Sequence, residues 1–266
     1  MQSIELYFET HGNGEVVVGA GGWGVRPAAD LAALLPATFT DRTALTFHYR
    51  GMGESASGPD VEQTSTLYAH DVLAILDRAD AGQAHLIGMG GMGAIVMMEL
   101  AIMAPERVAS TVLHEPWAVC DTSLRWQIET LRDLHQHVGF EAYQKAAAAL
   151  CFTPGYIEEH GQHILDNVWV NLRDNKEAHL RFIEVCLEHD ARERLDRLTA
   201  PTLLITGDDT DVMTGSRLLP ELEARIPNSE THVMVGSPHA FFESAELVKE
   251  FDDVVSGFIG EHAING

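Results

Sequence analysis

The 266-residue sequence contains few cysteines. The three that occur, Cys120, Cys151 and Cys186, are widely spaced, and no two of them form a CxxC pair. A disulfide framework or a zinc site requires paired or closely spaced cysteines, so the sequence predicts neither. We expect each cysteine to be a small buried hydrophobic residue.

Basic residues are also scarce. Lysine and arginine together number 17, against 40 aspartates and glutamates, and the formal net charge is −23. Such a surface repels phosphate groups, so binding to nucleic acid or to an anionic membrane is disfavoured.

Long hydrophobic runs are absent. No apolar run approaches the roughly 18 residues that a membrane-spanning helix needs. The N-terminal stretch MQSIELYFETHG has no basic region followed by an apolar one, so a signal peptide is not predicted. From these two observations we expect a cytoplasmic protein.

Motifs for common cofactors are missing too. The sequence has no GxGxxG, no Walker phosphate-binding loop and no cluster of metal-ligating residues. The glycine-rich stretch GAGGWG at 19–24 lacks the downstream acidic residue of a dinucleotide site. We therefore predict neither a cofactor nor a metal ion.

Short β-rich runs alternate with helical runs over much of the chain, which indicates a parallel sheet with helices on both faces. The helical runs in the first half are 28–35, 65–79 and 93–104. The strand-like runs are 4–10, 15–21, 44–50, 84–89, 110–116, 200–209 and 231–239.

The segment 118–196 breaks this alternation because it contains helical patterns and no convincing strand. It is longer than an ordinary connection. We predict that it forms a helical cap over an α/β core made of residues 1–117 and 197–266. Ligands bind at the carboxyl ends of the strands in such sheets, so the cap should cover that edge.

Five stretches in order resemble landmarks of the α/β-hydrolase superfamily, over nearly the whole chain. The resemblance implies a mostly parallel, eight-stranded sheet flanked by helices, with a helical cap. The five stretches are VVVGAGGWG, FHYRGMGES, GAIVMMELAIMAPERV, PTLLITGDDTD and VGSPHAFFESAELVKEF.

The sequence departs from the family at the turn that normally reads G-x-S-x-G and carries the nucleophilic serine. Gly91 stands at the serine's place in one register and Gly90 in the other. Glycine adopts positive φ without strain, so the turn should keep its shape. It should also leave a void that a water molecule could fill.

The resemblance implies a catalytic base at His239, with Asp211 as its carboxylate partner and Glu115 as a rival acid. It also implies an oxyanion hole built from main-chain amides, which would belong to Met92 and to Gly21 or Gly22.

The substrate pocket should receive side chains from the strand ends and from the cap. We name His48, His114, Trp117 and Trp126 as candidates for its lining. One or two of the other cap aromatics should also reach the substrate, and these are Tyr143, Phe152, Tyr156, Trp169 and Phe182.

Three interpretations of function stay open. The first is an enzyme acting on a small or medium, largely apolar carbonyl compound (an ester, lactone or diketone) without an acyl-serine intermediate. It would work by hydrolysis or by a lyase or isomerase step. The second is a non-catalytic member that binds a ligand or partner, and the third is an ordinary serine hydrolase with an engineered serine-to-glycine change. The oligomeric state is also open, with a homodimer as one alternative.

Overall fold

The computed structural model describes residues 4–23, 41–58 and 60–264, and within them a seven-stranded sheet forms the centre. The spatial order is β1-β3-β2-β4-β5-β6-β7. Only β1 pairs antiparallel, with β3, and the other neighbours pair in parallel. The strands are β1 (Phe8–Gly12), β2 (Glu15–Ala20), β3 (Arg42–Phe47), β4 (Ala84–Gly88), β5 (Val108–His114), β6 (Thr202–Gly207) and β7 (Ser229–Met234).

Helices flank the sheet, and the predicted α/β class with a mostly parallel sheet is confirmed. No helix of the described residues is both long enough and apolar enough to cross a membrane. The helices are α1 (Ser65–Arg78), α2 (Met92–Met103), α3 (Thr122–Asp133), α4 (Phe140–Cys151), α5 (Pro154–Asn167), α6 (Val170–Asp174), α7 (Lys176–Glu188), α8 (Leu219–Arg225) and α9 (Ala245–Glu261).

The predicted number of eight strands is wrong for the described part of the chain, which has seven. The predicted run 4–10 enters the sheet only at Phe8. Before it, the carbonyl of Tyr7 accepts from the His48 amide at 3.1 Å and that of Glu5 from the Ala56 amide at 2.9 Å. This segment therefore runs along the loop after β3. The predicted helix 28–35 lies outside the described residues.

Local signals explain where the helices begin. Thr64 precedes α1, and its hydroxyl accepts from the Leu67 amide at 3.0 Å. Asp121 precedes α3, and its carboxylate accepts from the Leu124 amide at 2.7 Å. Each side chain satisfies one of the amides that the first helical turn leaves without a partner.

Helices α3 to α7 follow one another between β5 and β6, inside the segment predicted to be a cap. The two ends of this segment meet, because Val119 and Asp190 form an isolated bridge and the Ala191 amide donates to the Ala118 carbonyl at 2.9 Å. The division into a core and a cap, at residues 118 and 196, stays a prediction.

The central helix α2 is apolar on nearly every side, as expected for a helix buried between the sheet and other helices. Its one acidic residue, Glu99, is fully buried and binds the guanidinium of Arg194 through both carboxylate oxygens. His189 and Ser65 lie within 3.4 Å of the same carboxylate. This ion pair fixes the segment that returns from the helical region to the core.

We predict that Arg194→Ala lowers the free energy of unfolding by about 2 kcal/mol, measured by urea denaturation, because Glu99 would keep a buried charge without its main partner. This is less than the ~3–5 kcal/mol typical when a fully buried pair is broken, since Arg194 is one-third exposed. The control is Arg192→Ala, which removes an exposed partner of Asp190 and should leave the urea midpoint unchanged. Equal effects of the two changes would contradict the assignment.

Candidate active site

A cavity of about 330 Å³ lies at the carboxyl ends of the strands, under helices α3 to α6. Its walls come from the loops after β2, β4, β5, β6 and β7 and from the helices above, and they are mostly apolar. The lining consists of Gly21, Gly22, Trp23, Met89, Gly90, Gly91, Met92, His114, Trp117, Leu124, Ile128, Leu131, Tyr143, Ala147, Cys151, Val168, Trp169, Met213, Thr214, His239, Ala240, Phe241 and Phe242.

His239 and Asp211 meet at the edge of this cavity. Asp211 follows β6, His239 follows β7, and His239 Nδ1 lies 3.2 Å from Asp211 Oδ2. Since Nδ1 is held by the carboxylate, Nε2 is the ring nitrogen that can exchange a proton with a bound molecule. The structure thus brings together the base and the first of the two acids predicted from the sequence.

The two groups shift each other's pKa in opposite directions. Burial opposes ionisation of Asp211, but the charge of His239 and the hydrogen bonds that Asp211 accepts outweigh it, so its pKa lies well below the usual range. Burial likewise disfavours the charged form of His239, but the neighbouring Asp211 outweighs it and raises the pKa of His239 to about 9. At neutral pH the pair is therefore mostly charged.

Glu115, the rival acid, lies beneath this pair and does not line the cavity. It is fully buried and adopts a φ of 60°, a left-handed conformation that costs a side-chain residue energy. Its carboxylate accepts from Thr206 Oγ1 at 2.8 Å and from the Gly207 amide at 3.1 Å, and it contacts the Thr214 hydroxyl. Glu115 thus reaches His239 through Thr214 and through the neighbouring Asp211.

Thr214 is the residue at this site that sequence reasoning missed. Its hydroxyl lies 2.6 Å from Asp211 Oδ2 and 3.4 Å from His239 Nδ1, and it also contacts Glu115. The only signal in the sequence is a hydroxyl residue three positions after the acid, which is common in loops. The contact with Glu115 depends on how β5 and β6 pair, and local sequence does not reveal that.

The turn after β4 is a γ-turn centred on Gly91. Gly91 has φ 68° and ψ −71°, close to the positive-φ γ-turn, and the Met92 amide donates to the Gly90 carbonyl at 2.7 Å. Gly90 also has a positive φ, 59°. Both glycines line the cavity, and which of them stands at the serine's place stays a prediction.

The expected void is absent at Gly91, where the expectation is wrong, but Gly90 has room for a side chain. A Cβ on Gly91 would lie 2.4 Å from Cζ3 of Trp117, so the indole occupies this space. A Cβ on Gly90 would meet only Gly22 Cα, at an ordinary 3.5 Å. The two glycines therefore tolerate a side chain very differently.

The main-chain amides expected to form an oxyanion hole are arranged unequally. The Met92 amide points into the γ-turn and is not free in this conformation. Gly21 and Gly22 line the cavity, and Gly22 lies so close to the turn that a Cβ on it would be 2.6 Å from the Gly90 oxygen. The oxyanion role of these amides stays a prediction.

His114 lines the cavity next to the γ-turn. Burial, aided by the neighbouring His239, lowers its pKa to about 3, so the ring is neutral. Its Nδ1 accepts from the Gly90 amide at 3.3 Å, which assigns the ring proton to Nε2, 3.5 Å from Glu115 Oε1.

Two of the four named pocket candidates do not line the cavity, so their assignment is wrong. His48 directly follows β3, but it stacks on Tyr7 at 4.8 Å between ring centres and its Nδ1 accepts from the Glu54 amide, outside the cavity wall. Trp126 is 67% exposed, because Leu124 and Ile128 occupy the inward face of α3.

The other two candidates, Trp117 and His114, lie in the cavity wall. Of the cap aromatics, Tyr143 and Trp169 reach it as well. The remaining three, Phe152, Tyr156 and Phe182, pack against other side chains.

The cavity offers few side chains that could act as a nucleophile. Burial raises the pKa of the Cys151 thiol, which therefore stays protonated and unreactive. The Thr214 hydroxyl is occupied by Asp211 and Glu115. Cys120 lies outside the cavity wall, and burial raises its pKa to about 12.

Glu115, Asp211 and His239 have ligand atoms within 4.8 Å of one another, a spacing that could suit a metal ion. Their surroundings suit a hydrogen-bonded network better than a metal site. Hydroxyl and amide donors already occupy the carboxylate oxygens, and the Thr214 hydroxyl stands between the two acids. We therefore treat the three as a hydrogen-bonded network.

We predict that Gly91→Ala destabilises the protein by about 3 kcal/mol and Gly90→Ala by about 1 kcal/mol, measured by urea denaturation. Both add the strain of a positive φ, roughly 1–2 kcal/mol, and only Gly91→Ala also collides with Trp117, at roughly 1–3 kcal/mol. Gly91→Ala should cost less in a Trp117→Ala background than in the wild type, so that the two changes are not additive. Equal effects at both glycines would contradict the contact.

A family model described as the alpha/beta hydrolase family matches residues 10–251. A protein of Azorhizobium caulinodans that carries the provisional name carbamate hydrolase RutD is 32% identical over 97% of this chain and 96% of its own. A 3-oxoadipate enol-lactonase of Acinetobacter baylyi is 31% identical over 62% of this chain and 60% of its own.

Solved structures show the same fold. The crystal structure of the enol-lactonase from Burkholderia xenovorans superposes with a TM-score of 0.82 at 22% identity and covers 97% of both chains. These comparisons support a hydrolytic enzyme that acts on small substrates. With the family model matching most of the sequence, the chain belongs to the α/β hydrolase family.

Proposed function

We propose that the protein hydrolyses a small, largely apolar carbonyl compound, such as an ester or lactone, without forming an acyl-serine intermediate. In this proposal His239, oriented by Asp211, is the general base that activates a water molecule. The observation that carries it is the 3.2 Å contact between His239 Nδ1 and Asp211 Oδ2 beside a cavity whose turn holds glycine at the nucleophile's place.

The catalytic steps follow from which groups can move a proton. His239 Nε2 takes a proton from water while the water oxygen bonds to the substrate carbonyl carbon, giving a tetrahedral oxyanion. The amides of Gly21 and Gly22 are the donors available to stabilise that oxyanion. As the intermediate collapses, the imidazolium returns the proton to the leaving oxygen, which regenerates the neutral base.

The composition of the cavity supports an uncharged substrate. No lysine or arginine is among the described residues that line it. The one cationic group at its edge, His239, already pairs with Asp211. A substrate carboxylate would be buried there without a partner of its own, which is costly.

The names of the relatives favour hydrolysis over a lyase or isomerase step. One is named a carbamate hydrolase and the other an enol-lactonase, and both names describe the cleavage of an acyl bond. We therefore infer the reaction type from these names, and the base and the substrate class from the geometry of this chain.

A second candidate function is ligand binding without turnover. The observation that favours it is the γ-turn, because the Met92 amide donates to Gly90 and cannot also stabilise an oxyanion in this conformation. The cavity would then serve as a binding site for an apolar molecule.

The hydrolysis proposal predicts a specific pH dependence. His239 must be neutral to accept a proton, and Asp211 raises its pKa to about 9. For hydrolysis of 4-nitrophenyl acetate, kcat/KM should rise by about tenfold per pH unit below that value and level off above it. His239→Asn should lower kcat/KM by at least about a hundredfold and abolish this rise.

The control is His232→Asn, which changes a histidine bound to Glu250 on the edge strand β7. This variant should keep the wild-type rate and pH profile. A His239→Asn variant with unchanged activity would contradict the base assignment. Saturable binding of 4-nitrophenyl acetate with no turnover at any pH would favour the binding function.

A further inference from the structure

The Thr214 hydroxyl contacts three titratable side chains, and these contacts need one more proton than the hydroxyl itself can supply. Its Oγ1 contacts a carboxylate oxygen of Glu115, lies 2.6 Å from Asp211 Oδ2 and lies 3.4 Å from His239 Nδ1. A hydroxyl has one proton to donate. It cannot donate to two carboxylates at once, so one of the two acids must donate to it.

Asp211 is not the acid that donates, because donors surround its carboxylate. The backbone amides of residues 213–215 lie 2.8, 3.3 and 3.1 Å from its oxygens. His239 Nδ1 lies 3.2 Å away. A carboxylate that accepts several amide hydrogen bonds beside a cation is held ionised.

Glu115 has the opposite environment. It is fully buried, and among the described residues its carboxyl receives the Thr206 hydroxyl and the Gly207 amide besides its contacts with Thr214 and the Asp211 carboxyl. Among the residues that the structure describes, no lysine or arginine contacts it. An ionised carboxylate here would be a second buried negative charge next to Asp211.

We propose that Glu115 is a neutral carboxylic acid that donates its proton to Thr214, which in turn donates to Asp211, so that Glu115 is a positioning residue for His239. This inference rests on the proposed function at one point, which is that His239 is the base whose charge Glu115 controls. Glu115 supplies the proton of its hydrogen bond to Thr214, and Thr214 donates its own hydroxyl proton to Asp211. Asp211 therefore keeps a full negative charge.

The groups that face Glu115 decide when it loses this proton. They are Asp211, His239, the neutral ring of His114 at 3.5 Å, and the buried thiol of Cys151. Burial and then Asp211 raise the pKa of Glu115 to about 8. Above that pH a second negative charge forms beside His239 and holds its proton more tightly.

Infrared spectroscopy tests the neutral acid without any substrate. The wild-type protein at about pH 6 should show the carbonyl stretch of a protonated carboxylic acid, and the band should be lost with a midpoint near pH 8. The variant Glu115→Gln should lack this band. The matched control Glu243→Gln should keep it, because Glu243 binds only the hydroxyl and amide of Thr153.

The pH profile tests the positioning role. Glutamine mimics the neutral acid but cannot ionise, so the readout for Glu115→Gln is the pH dependence of kcat/KM for 4-nitrophenyl acetate. The substitution removes the charge that forms above pH 8, so the His239 midpoint should move to lower pH, both in the rate profile and in imidazole NMR titration. Glu243→Gln should leave both unchanged.

Thr214→Val gives a second variant that does not alter either acid. It should lower kcat/KM about tenfold with little change in KM, and Thr214→Ser should restore most of the loss because it returns the hydroxyl. A wild-type spectrum without the protonated-acid band, or an unchanged His239 midpoint in Glu115→Gln, would overturn the inference. If the band and midpoint behave as expected but no ester is hydrolysed, the proposed function fails and this inference stands.

Discussion

The charge of a buried carboxylate must be balanced by hydrogen bonds or by a positive charge. The groups that balance the charge of Asp211 determine the arrangement of this site. Three backbone amides and His239 surround Asp211 at the point where the loops after β6 and β7 meet. That arrangement keeps the charge on Asp211, raises the pKa of His239 to about 9 and leaves the proton of the network on Glu115. The base and its pH range therefore follow from one electrostatic constraint.

In the proposed mechanism the chemistry shifts from a nucleophile to a base, because the turn after β4 holds Gly90 and Gly91. Trp117 fills the space that a side chain on Gly91 would need, and the γ-turn binds the Met92 amide. The reactive groups left at the cavity are the imidazole of His239 and the amides opposite the turn. A water molecule is the reactant that such a set of groups can activate.

Alternating patterns predicted most of the sheet, and the helical pattern at 65–79 predicted helix α1, which is confirmed. Seven β-rich runs were visible, and the error of eight strands came from the resemblance to a family. The resemblance to the family also implied that His239 would pair with Asp211, with Glu115 as the rival. The orientation of Trp126, the indole over Gly91 and the role of Thr214 could not be predicted, because each depends on contacts between distant segments.

Direct attack of water on the substrate is best tested by intact-protein mass spectrometry during turnover. Wild-type protein quenched with acid at short times after mixing with 4-nitrophenyl butyrate should show product and an unmodified protein mass, with no burst of nitrophenol. A butyryl adduct that forms and decays at the rate of turnover, for instance on Cys151 or Thr214, would contradict the account.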